Sequence, residues 1–304
     1  MKLHHLRDFL AVAERGSFRA AARHLNIAQP LLTRSIQELE RELAATLFER
    51  SAKGVLVTPM GEVLMRRAAA VQNEMRRIQE EIDQLRGSTH GRICVGMSSV
   101  PHIALLPLAI WPFRQRYPDV YLDVIDGLLP VVEGGLRDGT VDCYIGPVAG
   151  PVAAGLLVEK LFDNTRVILG RKGHPLQNAR ALSDLVGAQW MSTSVMLNVE
   201  EELGPLFAER GLPRPQLVMQ ARSALTFIVA LAYSDALAML PVQWLEFPLT
   251  RDVLQKIDVV ERIAAPPVCI VQRAGLPLTP AAEHFCDMMR RAAAHYQREG
   301  VLPQ

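Results

Sequence analysis

Leu3, Leu6, Phe9, Leu10 and Ala13 recur at the three- and four-residue spacing of one buried helix face, and Gly16 closes the run. Ser17 then caps a second helix over Phe18–Leu25, in which Ala20, Ala21 and Ala22 allow close packing. Asn26 and Ile27 form a turn. A third helix begins near Gln29 and Pro30, where the missing N–H of proline is no loss, and Leu32, Ile36, Leu39 and Leu43 continue its buried face. Two short helices joined by a tight turn, the second polar on its outer side, predict a helix-turn-helix. Its outward residues are Gln29, Thr33, Arg34 and Gln37. Beyond Phe48, Glu49 and Arg50, a Lys53-Gly54 turn between short apolar runs predicts a β-hairpin wing.

Pro59 opens a long helix in which Leu64, Ala68, Val71, Met75, Ile78, Ile82 and Leu85 alternate four and three residues apart. That is a narrow heptad seam, flanked by a charged face that includes Arg66, Arg67, Glu74, Arg76, Arg77, Glu80, Glu81 and Asp83. Such a seam pairs with another chain or packs on its own body. Gly87 to Gly91 reads as a flexible linker. From Arg92 onward, short apolar runs at 92–96, 121–126, 142–145 and 166–169 alternate with helical stretches, which predicts a largely parallel sheet flanked by helices.

Charge sharpens little. The whole chain has a formal net charge of +1, so it has no overall field for nucleic acid. The four cysteines are widely spaced, and Cys94, Cys143 and Cys269 sit in apolar runs; all four read as reduced core thiols of a cytoplasmic protein. The start of the chain lacks the apolar core and cleavage site of a secretory signal, and no long uncharged apolar run predicts a membrane span. The histidines are scattered, with no HExxH, no cysteine-rich metal spacing and no glycine-rich phosphate loop. No enzyme, catalytic residue, metal or cofactor is expected, and His102, His174 and His284 read as surface or helix residues.

The stretches Ser17 to Leu25, Ala28 to Glu40, Leu43 to Arg50 and Leu56 to Gly61 together resemble, in order, the DNA-binding module of LysR-type transcriptional regulators. Leu136 to Asp142 and Ala236 to Pro241 resemble two landmarks of the sensing domain of that family. Ala28 stands where the family often has serine, Ala44 where it has glycine, and Ser234-Asp235 where glycine is common. The resemblance implies an α+β multi-domain chain. Its parts are a winged helix-turn-helix at 1–58, a coiled-coil linker helix and hinge at 59–91, and a two-lobed α/β domain at 92–304 that is similar to periplasmic binding proteins. Lobe I takes 92–162 and 267–304, and lobe II takes 163–266. Gln29, Pro30, Thr33, Arg34 and Gln37 are the implied DNA contacts, with Arg50 and Lys53 on phosphate.

Open α/β sheets bind ligands at the carboxyl ends of strands. Ser98, Ser99, Pro147, Thr193 and Ser194 stand at such ends, Ser223 precedes an apolar helix, and Leu129 follows a fourth strand on an apolar side. Hydroxyls on two walls with an apolar third suggest a small organic acid, aromatic acids included, with Arg222 as the only cation nearby. The expected partners are double-stranded promoter DNA, a small-molecule effector, a second copy through residues 64–85, a homotetramer and RNA polymerase, with no membrane. The alternative is a ligand-independent DNA-binding regulator whose C-terminal domain only oligomerises.

Overall fold

In a computed structural model of the chain, which describes residues 1–51, 54–193, 199–221 and 223–299, the first three apolar patterns form helices. α1 (Leu3–Arg15) buries Leu6, Phe9, Leu10 and Val12. In α2 (Phe18–Leu25) the Ser17 hydroxyl accepts the Ala20 N–H at 3.5 Å, and Ala21 and Ala22 face inward. α3 (Gln29–Leu43) packs Leu32, Ile36 and Leu39 into the same core, with Leu47 and Ala68. Full burial of side chains this size contributes about 1.5–3 kcal/mol each. The core also holds one carboxylate. Asp8 is buried, and it accepts from Ser35 Oγ at 2.6 Å and from the Arg7 guanidinium at 2.7 Å, which ties α1 to α3. Leu3 and Leu43 depart from the predicted buried faces. Both are exposed, since each stands at a helix end beyond the reach of the core.

α3 stops at Ala44, which adopts φ 49° in the left-handed region. An L-residue there is strained by about 1–2 kcal/mol, and glycine is not, although glycine loses more chain entropy on folding. Ala44 is exposed, so no packing opposes the change. Ala44→Gly is expected to stabilise this unit by roughly 0.5–1 kcal/mol. A higher urea midpoint for the helical transition checks this, and a lower midpoint contradicts it.

β1 (Phe48–Ser51) and β2 (Gly54–Val57) pair antiparallel, with Phe48 opposite Val57. The Val55 N–H donates to Gly16 O at 3.0 Å and so docks the hairpin on the α1–α2 turn. α4 (Pro59–Leu85) starts on Thr58, whose Oγ1 accepts the Gly61 N–H at 3.1 Å and donates to Thr46 O at 2.7 Å. The heptad seam divides. Leu64 and Ala68 are taken by the core just described, whereas Val71, Met75, Ile78 and Ile82 are 40–48% exposed and Leu85 is 74% exposed.

Met1–Ser88 together with Arg137–Thr140 make one compact unit, and Thr89–Leu136 with the chain from Val141 make another. In the second, β3 (Gly91–Met97) leads through α5 (Ser99–Ala104) and α6 (Leu106–Arg116) to β4 (Val120–Asp126). α7 (Leu129–Asp138) then precedes β5 (Cys143–Pro147). β6 (Leu156–Arg171) is 16 residues long and is followed by β7 (Gln189–Ser192), α8 (Val199–Ala208), β8 (Gln216–Gln220), α9 (Ala224–Ala232), β9 (Ala236–Pro241) and β10 (Leu254–Ile257). β11 (Ile263–Arg273) returns, and α10 (Pro280–Glu299) closes the described chain. The sheet order is β4-β3-β5-β11-β6-β9-β7-β8, with β10 on β6.

This sheet is less parallel than the alternation predicts. β4, β3 and β5 run parallel, as do β9, β7 and β8, but β11 and β6 pair antiparallel with each other and with their neighbours. The reason lies in the connections. Two long strands carry the chain across and back, and two crossings must run in opposite senses. The ladder between them breaks at Ala265 to Val268, because Pro266 and Pro267 have no N–H to give. All four cysteines are buried, and none forms a disulfide. Cys143 and Cys286 lie with sulfurs 3.6 Å apart, and their contact, together with burial, pushes the Cys143 thiol well up. No helix among the described residues is long and apolar enough to cross a membrane.

Candidate functional site

The outer side of α3 is the first candidate surface. Gln29, Pro30, Arg34 and Gln37 are exposed and Thr33 is half-buried. Arg34 lies along its own helix, with Nε donating to Glu38 Oε1 at 2.9 Å. That bond holds the Glu38 carboxyl below its usual range. The other Glu38 oxygen lies 3.8 Å from Nε2 of His5, too far for a hydrogen bond. His5 is buried on α1, and burial, followed by the neighbouring His4, lowers its pKa. Arg19 and Arg23 on α2 are exposed as well. The sequence reading did not select them, though the first helix of such a motif crosses the phosphate backbone. Lys53 and the side chain of Arg50 lie outside the described residues.

The second unit encloses a cavity of about 420 Å³ at the strand ends. Ser98, Ser99, Pro147 and Thr193 all line it. Ser98 occupies the cap position of α5 without capping it, and its buried Oγ lies toward the Tyr144 hydroxyl. Ser99 Oγ accepts from the indole N–H of Trp244 at 3.4 Å, so residues far apart in sequence meet in the cavity lining. Gly146 lies behind Ser98. A methyl group there would sit 2.8 Å from Ser98 Oγ and closer still to the hydroxyl of Tyr144, two residues earlier on the same strand face. Burial pushes the Tyr144 phenol well up, so this hydroxyl stays neutral. Its O–H donates to Pro147 O at 3.3 Å.

Three further choices fall differently. Leu129 lies in the buried cluster of Val132, Leu136 and Tyr144, and Leu128 lines the cavity in its place. Ser223 is spent as the cap of α9, accepting the Thr226 N–H at 3.4 Å, and it does not line the cavity, whereas Ala224 and Ile228 of that helix do. Ser194 and Arg222 lie outside the described residues. A cation stands in the wall all the same. Arg166, on β6, lines the cavity, so Arg222 is not the sole basic residue beside these loops.

Asn164, His102 and Asp126 add polar groups. Asn164 is held by Gln243 Nε2 at 3.0 Å, and His102 Nδ1 lies 2.7 Å from Ser98 O. His102 is a helix residue of α5, one of the two readings the sequence offered, and it lines the cavity. Against the surface reading, His174 is buried, with Nε2 at 3.0 Å from Asp235 O and Nδ1 accepting the Leu176 N–H. Ile103, Ile228, Met239, Trp244 and Phe247 supply an apolar wall. A small ligand with one charged end and an apolar body fits such a lining. Among the described residues no cluster of histidine, cysteine or carboxylate side chains could hold a metal.

Residues 3–62 match the family model described as the bacterial regulatory helix-turn-helix protein of the lysR family, and residues 86–294 match the LysR substrate binding domain. The chain is 25% identical to the HTH-type transcriptional regulator GbpR of Azospirillum brasilense, over 100% of this chain and 90% of that one. It is 29% identical to an SDS degradation transcriptional activation protein of a Pseudomonas species, over 92% and 93%. Among solved structures, CbnR, a LysR family transcriptional regulator, shares the fold at a TM-score of 0.69 with 20% identity, over 96% of this chain and 99% of that one. Matched in order by both parts of one architecture over most of its length, the chain belongs to the LysR family: it is a DNA-binding transcription regulator with a substrate-binding domain.

Proposed function

We propose that this regulator senses a small organic acid, aromatic acids included, in the cavity of its second unit. One observation carries this reading. Ser98, Ser99, Thr193 and the basic residue Arg166 line about 420 Å³ together with an aromatic and aliphatic wall. A carboxylate meets donors at one end while an apolar body is covered at the other. A domain that only oligomerised would have no use for a cavity with hydroxyls, an amide and a basic residue in its lining. Ser98 and Ser99 belong to the proposed lobe I and Thr193 to lobe II, and the proline break in β11 supports placing the border near 162 and 267. A ligand touching both lobes changes their preferred arrangement, which is what regulation requires.

At the other end of the chain, 1–58 binds DNA with α3 in the major groove and the hairpin on the backbone, and the helix of 59–91 pairs two copies. Four buried cysteines with no disulfide between them suit the reducing cytoplasm, where the DNA is. The test begins with DNA selected from a random pool by the full chain. Arg34→Ala is expected to lower affinity about tenfold and relax preference at one base position, the scale of one good arginine contact to a base edge. Fluorescence anisotropy measures both. Unchanged affinity together with unchanged preference would remove α3 from the interface.

A further inference from the structure

The apolar residues of α3 divide sharply. Leu32, Ile36 and Leu39 are at most 2% exposed, as the core demands. Leu31 is 63% exposed on the first turn of the same helix. It joins no apolar cluster among the described residues. Its companions on the open side are polar or cyclic, namely Gln29, Pro30 and Arg34. A leucine beside Ala or Ser would be ordinary surface, but the first turn of a reading helix is the part that meets base edges.

The major groove offers a leucine one apolar feature, the C5 methyl of thymine. Every other base edge there presents donors or acceptors. A leucine pressed against them strips water and returns no hydrogen bond. Leu31 therefore discriminates in both directions: it gains apolar burial on thymine and loses hydration on guanine, adenine or cytosine. The Arg34–Glu38 bond strengthens the case. With Nε of Arg34 engaged by Glu38 one turn on, the guanidinium is drawn toward the carboxyl-terminal side, and the first turn keeps an apolar contact face.

We propose that Leu31 is a specificity-determining residue that reads a thymine methyl in each half-site. This rests on the reading that α3 lies in the major groove, and the experiment separates the two. Sites are selected from a random pool with the full chain, and each thymine of one half-site is replaced in turn by uracil, which lacks only the methyl. Wild type is expected to lose about fourfold in affinity at one position, the factor for one methyl group of buried apolar surface. Leu31→Ala, a substitution between good helix formers at an exposed site, keeps the fold. It is expected to bind the thymine duplex about as weakly as wild type binds the uracil one, with no difference between the two bases. Arg34→Ala weakens binding yet keeps the thymine preference. Equal affinity of wild type for uracil and thymine at every position overturns the proposal, and so does a uracil penalty that persists in Leu31→Ala. If Leu31→Ala and Arg34→Ala both bind as wild type does, the groove reading itself has failed.

Discussion

Val71→Asp combined with Ile78→Asp is expected to halve the sedimenting mass of the full chain and to reduce its affinity for a two-half-site DNA by about a hundredfold or more. The mass follows from the seam. Within one chain Val71 is 40% and Ile78 48% exposed, so both side chains are free to take a charge without harm to their own fold. In a paired coiled coil they would be buried, and an unpaired carboxylate there costs several kcal/mol at each of two positions. The affinity follows from the mass. Two linked heads bind a symmetric site with the second contact effectively intramolecular, which multiplies affinity by about 10²–10⁴. A single head loses that factor but keeps its grip on one half-site. Sedimentation velocity and anisotropy on one- and two-half-site duplexes measure the two effects. An unchanged mass would place the pairing surface elsewhere, and Leu64 with Ala68 has already been taken by the helical core.

Much of this architecture was legible because local periodicity and tertiary burial agree. The spacing of Leu6, Phe9 and Leu10, then of Leu32, Ile36 and Leu39, marks faces that do pack together. A turn of Ser17 type and a proline at the first helical position place the helix starts within a residue. What the pattern hides is direction at single-residue resolution. Leu31 and Leu32 are chemically alike, yet adjacent helix positions are about 100° apart, and only one can face the core. Leu128 and Leu129 pose the same difficulty at the start of a helix, where the first lines the cavity and the second backs it. Ser223 shows another limit: one hydroxyl suits a helix cap or a ligand, and the cap took it. Arg166 escaped for a topological reason. Strand ends are where ligands are sought, but this arginine sits within a 16-residue crossing strand, and only the folded sheet brings it to the serines.

That arginine gives the second large effect. Arg166→Met keeps an unbranched apolar stem about as long as the arginine's own aliphatic part and deletes the guanidinium with its charge and donors. In wild type, the proposed acid should bind more tightly than its neutral primary amide, because a carboxylate facing a guanidinium gains about 1.5–3 kcal/mol over a neutral hydrogen bond's smaller return. Arg166→Met is therefore expected to weaken the acid by roughly ten- to a hundredfold and to leave the amide nearly unchanged. Benzoate, its hydroxylated relatives and short aliphatic acids form the panel, screened by thermal shift on the full chain and titrated by calorimetry beside the matching amides. The comparison separates recognition from structure. A wall residue that mattered only for packing against Ile263 and Pro241, its neighbours in the sheet, would weaken acid and amide alike when replaced. Collapse of the acid-over-amide preference assigns the carboxylate to Arg166. Survival of that preference in Arg166→Met would move the anion to another part of the cavity, and no preference in wild type would mean that the ligand is not an acid at all.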